Sequence, residues 1–265
     1  MGRYGGYEDQ EFVAEFYDGE YANLNRRDVE FFVDYSRKTE GKTLELGCGT
    51  GRVLIPTVLA GCEITGLDLS PYMLKKCHEK LAELPAKLQK NIELIQGDMT
   101  DFSTGEKYPL VTIPFRPFQH LMSIPEQKSC LFCTYKHLED KGKLVFDVFH
   151  PFFPRLIETK YLMEMDAGLP FKLSDGRIVR RTQRIAAYHR TEQYNDCELI
   201  YYVKYPDGTE ERLVHEFKMR YFYRYEIEHL LSICGFKIVE LFGDFNRSEF
   251  SNDSPEMIFV AEKIV

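Results

Sequence analysis

The chain reads as an α/β protein: a doubly wound, mostly parallel seven-stranded sheet with a terminal antiparallel hairpin, plus an inserted antiparallel β lobe. Three observations predict this. Short apolar strands alternate with helical stretches over residues 42–150, the pattern of parallel strands covered on both faces. Residues 151–222 change to long strands, and in the last two the apolar residues fall at alternate positions, as in a meander. After residue 223 a helix and two strands complete the first pattern, and no helix separates those strands. They therefore pair antiparallel, because a parallel connection needs a crossover.

Each element has a local reason. In 8–38, Phe12, Phe16, Phe31, Phe32 and Tyr35 recur at helical spacing, giving two amphipathic helices with Gly19 as the break. KTLELG (42–47) is a strand that runs into a glycine-rich turn and the helical stretch RVLIPTVLAG. CEITGLDLS (62–70) is the second strand; Ser70 and Pro71 then supply an N-cap and a first-turn proline for a helix to about Leu84. Strands follow at 91–99 and 110–115, then a helix at 126–139 and a fifth strand at 143–149 after the Gly142 turn. The lobe holds RIVRRTQRIAAYHR and CELIYYVKY, a Pro206-Asp207-Gly208 turn, and TEERLVHEFKMRYFYR. A helix at 224–234 ends at Gly235, and FKIVELFGDF and EMIFVAEKI close the sheet. The expected organisation is N-terminal helices at 1–40, a core of 41–150 with 223–265, and the lobe at 151–222.

Composition narrows the function. With 44% hydrophobic and 29% charged residues over 265 positions, one large domain can bury a sizeable core. No apolar run approaches the roughly 18 residues of a membrane span. The polar start MGRYGGYEDQEF is not a targeting segment, and Gly6 stands where a Met1-Gly2 acylation signal wants a hydroxyl. A cytoplasmic protein is expected. The net charge of −8 argues against nucleic acid as a partner; the lobe is near neutral and the core carries the acidity. Seven cysteines, with a lone Cys130-x-x-Cys133 pair, read as buried free thiols and imply no metal.

The strongest chemical signal is LELGCGTGR (44–52), a strand that ends in a glycine-rich turn and opens a helix. Backbone can approach a ligand closely there, at the carboxyl end of the sheet. Arg52 stands where a dinucleotide fingerprint needs glycine, and no Gly-Lys-Ser/Thr follows as in a phosphate-binding loop. Asp68 ends the second strand about twenty residues on, where an acid accepts both hydroxyls of a ribose. Asp98-Met99 ends the third, placing a carboxylate and an apolar neighbour where an adenine would lie.

On LELGCGTGR, GLDLS with Pro71-Tyr72-Met73-Leu74, QGDM, PFRPFQHL and LVFDVFHP, the chain resembles the class I S-adenosylmethionine-dependent methyltransferases. The resemblance covers about three-quarters of the chain. It implies S-adenosyl-L-methionine as cofactor, S-adenosyl-L-homocysteine as product, and methyl transfer by in-line displacement. It further implies that Gly47, Gly49 and Gly51 sit against the methionine part, that Asp68 holds the ribose, and that Cys48, Arg52 and Leu69 also bind the cofactor. Asp98 and Met99 would frame the adenine, Pro114 would border the methionine end, and Tyr17 and Tyr21 would cover the cofactor. Relatives place an acid before the fourth strand where this chain has Tyr108-Pro109-Leu110-Val111. His120 and His150 are candidates for a base.

Several residues read two ways. His120 either packs or faces the acceptor, and His215 reads as a satisfied core residue. Tyr188, Tyr201, Tyr202, Tyr205, Tyr221 and Tyr223 line an acceptor pocket or form a half-buried sheet face, and Arg177, Arg180, Arg181 and Arg184 read as a solvated strand. The lobe is an acceptor lid or a dimer interface, in a monomer or homodimer. Its composition suits a small-molecule acceptor, methylated on nitrogen or oxygen. The alternatives are a non-catalytic cofactor-binding protein and an NAD-dependent oxidoreductase, the second disfavoured by Arg52.

Overall fold

The computed structural model describes residues 5–22 and 26–265; the Met1-Gly2 start lies outside them. Helices α1 (Glu11–Tyr21) and α2 (Asp28–Lys38) precede β1 (Thr43–Leu46), α3 (Leu54–Leu59) and β2 (Ile64–Asp68). Then come α4 (Pro71–Ala82), α5 (Ala86–Gln89), β3 (Ile92–Gln96), β4 (Tyr108–Ile113), α6 (Ile124–His137) and β5 (Leu138–Phe149). The lobe contains α7 (Phe153–Ile157), β6 (Met165–Asp166), β7 (Phe171–Lys172), β8 (Ile178–His189), β9 (Tyr194–Lys204) and β10 (Glu210–Arg220). The chain closes with α8 (Arg224–Ile233), β11 (Phe236–Phe242) and β12 (Glu256–Lys263).

The main sheet runs β11-β12-β5-β4-β1-β2-β3. β12 alone is antiparallel to both its neighbours, β11 and β5, while the five strands from β5 to β3 are parallel. The order turns back between β1 and β4, and in such sheets the crevice outside the carboxyl ends at that point takes the ligand. All four β1 residues are buried, and Leu110, Val111, Leu144, Val145, Phe146, Phe259 and Val260 are fully buried, which is why the strands read as apolar runs. Ser70 Oγ accepts from the Met73 N–H at 3.2 Å, and Pro71 opens α4, as the sequence predicts. No helix among the described residues is long and apolar enough to cross a membrane.

The second sheet runs β10-β9-β8-β6, with β7 also on β8, all antiparallel. α1 joins the two halves. Phe16, fully buried, packs with Val179, Tyr201 and Val203 of the lobe, while Val13 and Ala14 pack with Met73 of α4.

Two expectations are corrected here. Gly19 does not break the N-terminal helix, because α1 runs through it to Tyr21. A Cβ at Gly19 would lie 2.4 Å from the Phe171 ring, so the glycine permits close approach of the lobe. The arginine strand is also not simply solvated: Arg177 pairs with Glu15 and Arg181 with Glu20, both on α1.

Candidate active site

A cleft lined by residues of the β1, β2, β3 and β4 strand ends opens at the crevice that the strand order marks. The loop after β1 supplies its floor. The Gly47 and Cys48 N–H groups both donate to the Leu67 carbonyl, at 2.7 and 3.1 Å, which binds the turn to β2. Gly47 and Gly49 take φ of +71° and +54°, and both line the cavity. A Cβ on Gly49 would meet nothing within 4 Å among the described residues beyond its own chain neighbours. That open space beside bare backbone is a cradle for a ligand.

Not every residue of the loop faces the cavity. The Cys48 thiol packs in the core beneath β2, within 2.9 Å of where a Gly66 Cβ would stand. Gly51 is required by packing, since its Cβ would lie 2.8 Å from Cys77 Sγ. Arg52 forms a two-pronged ion pair with Asp28 of α2 and lies 4.3 Å from the Phe115 ring centroid. These three residues shape the turn; the structure does not place them in the lining.

Asp68, at the tip of β2, is the electrostatic centre. Its Oδ2 accepts from the Gly49 N–H at 2.7 Å and its Oδ1 from the Ser70 N–H at 2.8 Å. Burial pushes its pKa up to about 6, against those N–H groups, and the Glu8 carboxylate adds to the rise. A carboxylate has about four acceptor sites, so Asp68 keeps capacity for a ligand hydroxyl beside these backbone donors. Glu45, buried on β1, is pushed up to about 8 by the same desolvation.

Leu69 lines the cavity beside Asp68. Gly97 and Met99 line it at the end of β3, but Asp98 between them does not, because its Oδ1 accepts from the Thr100 N–H and hydroxyl at 2.8 and 2.7 Å. Pro114, Phe115 and Pro117 form the wall after β4. Tyr17 of α1 reaches the cavity; Tyr21 stands behind it, 4.9 Å from the Phe115 ring.

Leu67, Ser70, Met73, Gly97, Phe115 and Pro117 join the lining from motifs already singled out, whereas Tyr7 and Glu8 come from outside all of them. Tyr7 and Glu8 precede α1 and roof the cavity, held there by the Ser70 hydroxyl donating to the Tyr7 carbonyl at 2.6 Å. Nothing in their local sequence announces a contact with a residue more than sixty positions away. α1 is latched from both sides: Thr50 Oγ1 donates to Asp18 at 2.6 Å, and the Tyr201 hydroxyl donates to Glu20 at 2.6 Å.

The two histidines separate. His120 lines the cavity, 8% exposed. Its Nδ1 lies 3.2 Å from the Lys218 carbonyl; a carbonyl only accepts, so Nδ1 carries the proton and Nε2 keeps its lone pair. Burial holds its pKa down at about 4, with His215 contributing. His150 is not in the lining. Its Nδ1 donates to the Ser254 carbonyl at 2.8 Å and its ring packs edge-on against Phe250, so the loop joining β11 and β12 turns it away. His215 donates from Nε2 to the Gly5 carbonyl at 2.6 Å, and its buried Nδ1 has no partner among the described residues.

The lining holds two acids, Glu8 and Asp68, and no lysine or arginine among the described residues. The pyrophosphate of a dinucleotide would meet like charge there, whereas a cationic, hydroxyl-bearing ligand fits.

The methyltransferase domain family matches residues 43–142, the span of β1 to the β5 turn. A Geobacillus sp. (strain WCH70) protein named for methyltransferase activity is 28% identical, over 86% of this chain and 87% of its own. The CcbJ methyltransferase of Streptomyces caelestis superimposes with a TM-score of 0.76 at 23% identity, covering 100% of both chains. The S-adenosylmethionine-bound amino pentose methyltransferase CalS10 of Micromonospora echinaspora gives 0.69 at 20% identity, covering 96% of this chain and 97% of its own. Both structural likenesses are of fold. The family match over the sheet that carries the cavity, and a relative named as a methyltransferase that aligns over most of both chains, support a class I S-adenosylmethionine-dependent methyltransferase.

Proposed function

We propose that this chain methylates an amine nitrogen of a small-molecule acceptor, using S-adenosylmethionine held in the cavity between the Gly47–Gly49 turn and the Tyr7–Glu8 roof. The observation that carries this reading is the lining itself: two acids, no lysine or arginine among the described residues, and aromatic groups from Tyr7, Tyr17 and Phe115. Such a site favours cations through carboxylates and ring faces. It disfavours acceptors that present phosphate or carboxylate. CalS10 is an amino pentose methyltransferase, and an amino sugar is the kind of acceptor this lining would suit.

Asp68 would accept the ribose hydroxyls, Gly49 would leave room for the methionine part, and Met99 would pack on the adenine. When bound, S-adenosylmethionine supplies a methyl group on a sulfonium, already provided with a good leaving group. The protein's task is then alignment, which supplies roughly 7–11 kcal/mol in well-oriented systems. Roof and wall enclose the acceptor and exclude water. Tyr7 and Tyr17 remain protonated, their pKa values raised first by burial, so both serve as neutral ring faces and hydroxyls.

His120 orients rather than deprotonates. A ring whose conjugate acid has a pKa of about 4 cannot hold a proton taken from an aliphatic ammonium. Its Nε2 lone pair instead receives an N–H of the neutral amine and turns the nitrogen lone pair toward the methyl.

The test is methyl transfer over a panel of amino sugars and other hydrophobic amines, with phenols as controls, for the parent and His120→Ala. The variant is expected to lose about tenfold in kcat/KM, below the 10²–10⁴-fold of a general base. The pH at which the rate rises should stay at the acceptor's own pKa. Methylation of phenols alone would refute the amine reading, and a rate-controlling pKa abolished by the substitution would make His120 the base.

A further inference from the structure

We propose that Asp147 is a positioning residue, whose buried carboxylate fixes the Phe115–Arg116 turn and so sets the wall against which the acceptor lies. The inference rests on the methyl-transfer reading of the cavity. Asp147 sits near the end of β5 and is 0% exposed. Nothing in sheet packing needs an acid there, where burial of a charge is costly unless it is fully paired.

The pairing has a direction. Asp147 Oδ1 accepts from the Phe115 backbone N–H at 2.7 Å, and Oδ2 accepts from Arg26 Nη2 at 2.9 Å. Arg116 Nε lies 3.9 Å from the same oxygen. Glu256, on the neighbouring strand, pairs with both arginines, so two carboxylates balance two guanidinium groups. Arg26 also covers the Phe115 ring at 5.1 Å. One carboxylate thus gathers the segment before α2 and the loop after β4.

That loop needs holding. Phe115 and Arg116 are consecutive non-glycine residues at φ of +69° and +72°, a conformation that persists only where the surroundings over-determine it and that clusters at functional sites. Phe115 lines the cavity, and its ring meets Tyr21 at 4.9 Å and Tyr17 at 6.4 Å. Were the turn to relax, the wall would move while Asp68 and the glycine loop stayed in place. The carboxylate would therefore govern turnover more than cofactor affinity.

Asp147→Ala removes both the charge and the acceptor for the Phe115 N–H. Asp147→Asn removes the charge and keeps an oxygen at that point. Three readouts are needed on both: thermal midpoint, hydrogen–deuterium exchange of the 113–118 segment, and S-adenosylhomocysteine affinity by calorimetry. Turnover is then measured with the amine that the acceptor panel identifies. The expected result is a similar fall in thermal midpoint for both, with faster exchange at 113–118 in the alanine variant only. Turnover should drop about 100-fold in alanine, the cost of a misplacement near 1 Å, and be largely rescued in asparagine. Affinity for S-adenosylhomocysteine should change by less than about threefold in either. Unchanged exchange at 113–118 in the alanine variant, or equal losses of turnover in both variants, overturns the proposal. If alanine fails to fold, asparagine decides: lost protection at 113–118 in a folded protein overturns it, and retained protection with retained turnover supports it. Failure of the parent to bind S-adenosylhomocysteine would instead sink the methyl-transfer reading, which exchange at 113–118 does not depend on.

Discussion

Asp68→Ala is expected to weaken S-adenosylhomocysteine binding on the order of 100-fold or more, leaving a folded protein. Two hydroxyl bonds to a carboxylate are at stake, each worth about 1.5–3 kcal/mol, and 1.4 kcal/mol is a factor of ten. The Gly49 and Ser70 N–H groups also lose their acceptor, so the turn itself slackens. The pH dependence gives a second signature. Asp68 in the folded chain titrates near 6, above its ordinary 3.8. The folded state therefore holds a proton that the unfolded state has released, and the unliganded protein loses stability as pH rises across about 4 to 6. A ligand that donates to the carboxylate lowers that pKa again. Binding should then release a proton and tighten as pH rises from 5 to 7.5, and the alanine variant should show neither effect. Calorimetry at three pH values, in buffers of different ionisation enthalpy, checks this. A parent affinity that is flat with pH would mean that the ligand does not engage Asp68.

The second large effect separates two glycines of one loop. Gly49→Ala places a Cβ where nothing among the described residues lies within 4 Å beyond its own chain neighbours, at a φ of +54°. The left-handed conformation costs a non-glycine residue about 1–2 kcal/mol, so the variant should fold with a thermal midpoint lowered by roughly 2–8 °C. Its methyl occupies the ligand's space, and binding should fall at least about 30-fold. Gly51→Ala does the opposite. Its Cβ would press on Cys77 Sγ at 2.8 Å, at a φ of +83°, so stability should drop further while whatever folded protein remains still binds. Thermal midpoints and S-adenosylhomocysteine titrations of both variants provide the check. Equal binding losses would show that the loop acts only through its own integrity.

The contrast between these glycines shows what was readable in the residue pattern. Strand positions, and the placement of Asp68, Gly47 and Gly49 at strand ends that face the cavity, were legible because each depends on neighbours in sequence: a doubly buried strand must run apolar, and a turn that bares its backbone must carry glycine. Which way a side chain leaves that turn depends on distant partners. Arg52 was expected at the cofactor, yet Asp28 of α2 claims it. His150 ends a strand at the mouth of the sheet, but the Ser254 carbonyl and Phe250 draw it aside. Asp98 caps its own turn through Thr100, leaving Gly97 and Met99 to face the cavity. The Tyr7–Glu8 roof was invisible for a related reason, since only the folded chain brings it over Ser70. Gly19 looked like a helix break because its real neighbour, Phe171, lies far along the chain.

The central claim is that this cavity takes a sulfonium nucleoside rather than a dinucleotide. Thermal unfolding with S-adenosylmethionine, S-adenosylhomocysteine or NAD in parallel tests it most directly. A ligand at 100 times its dissociation constant adds about 2.7 kcal/mol, a rise of roughly 5–10 °C for a chain of this size. That rise is expected with both sulfur compounds and none with NAD, and it should be lost in Asp68→Ala. A rise with NAD alone would contradict the claim.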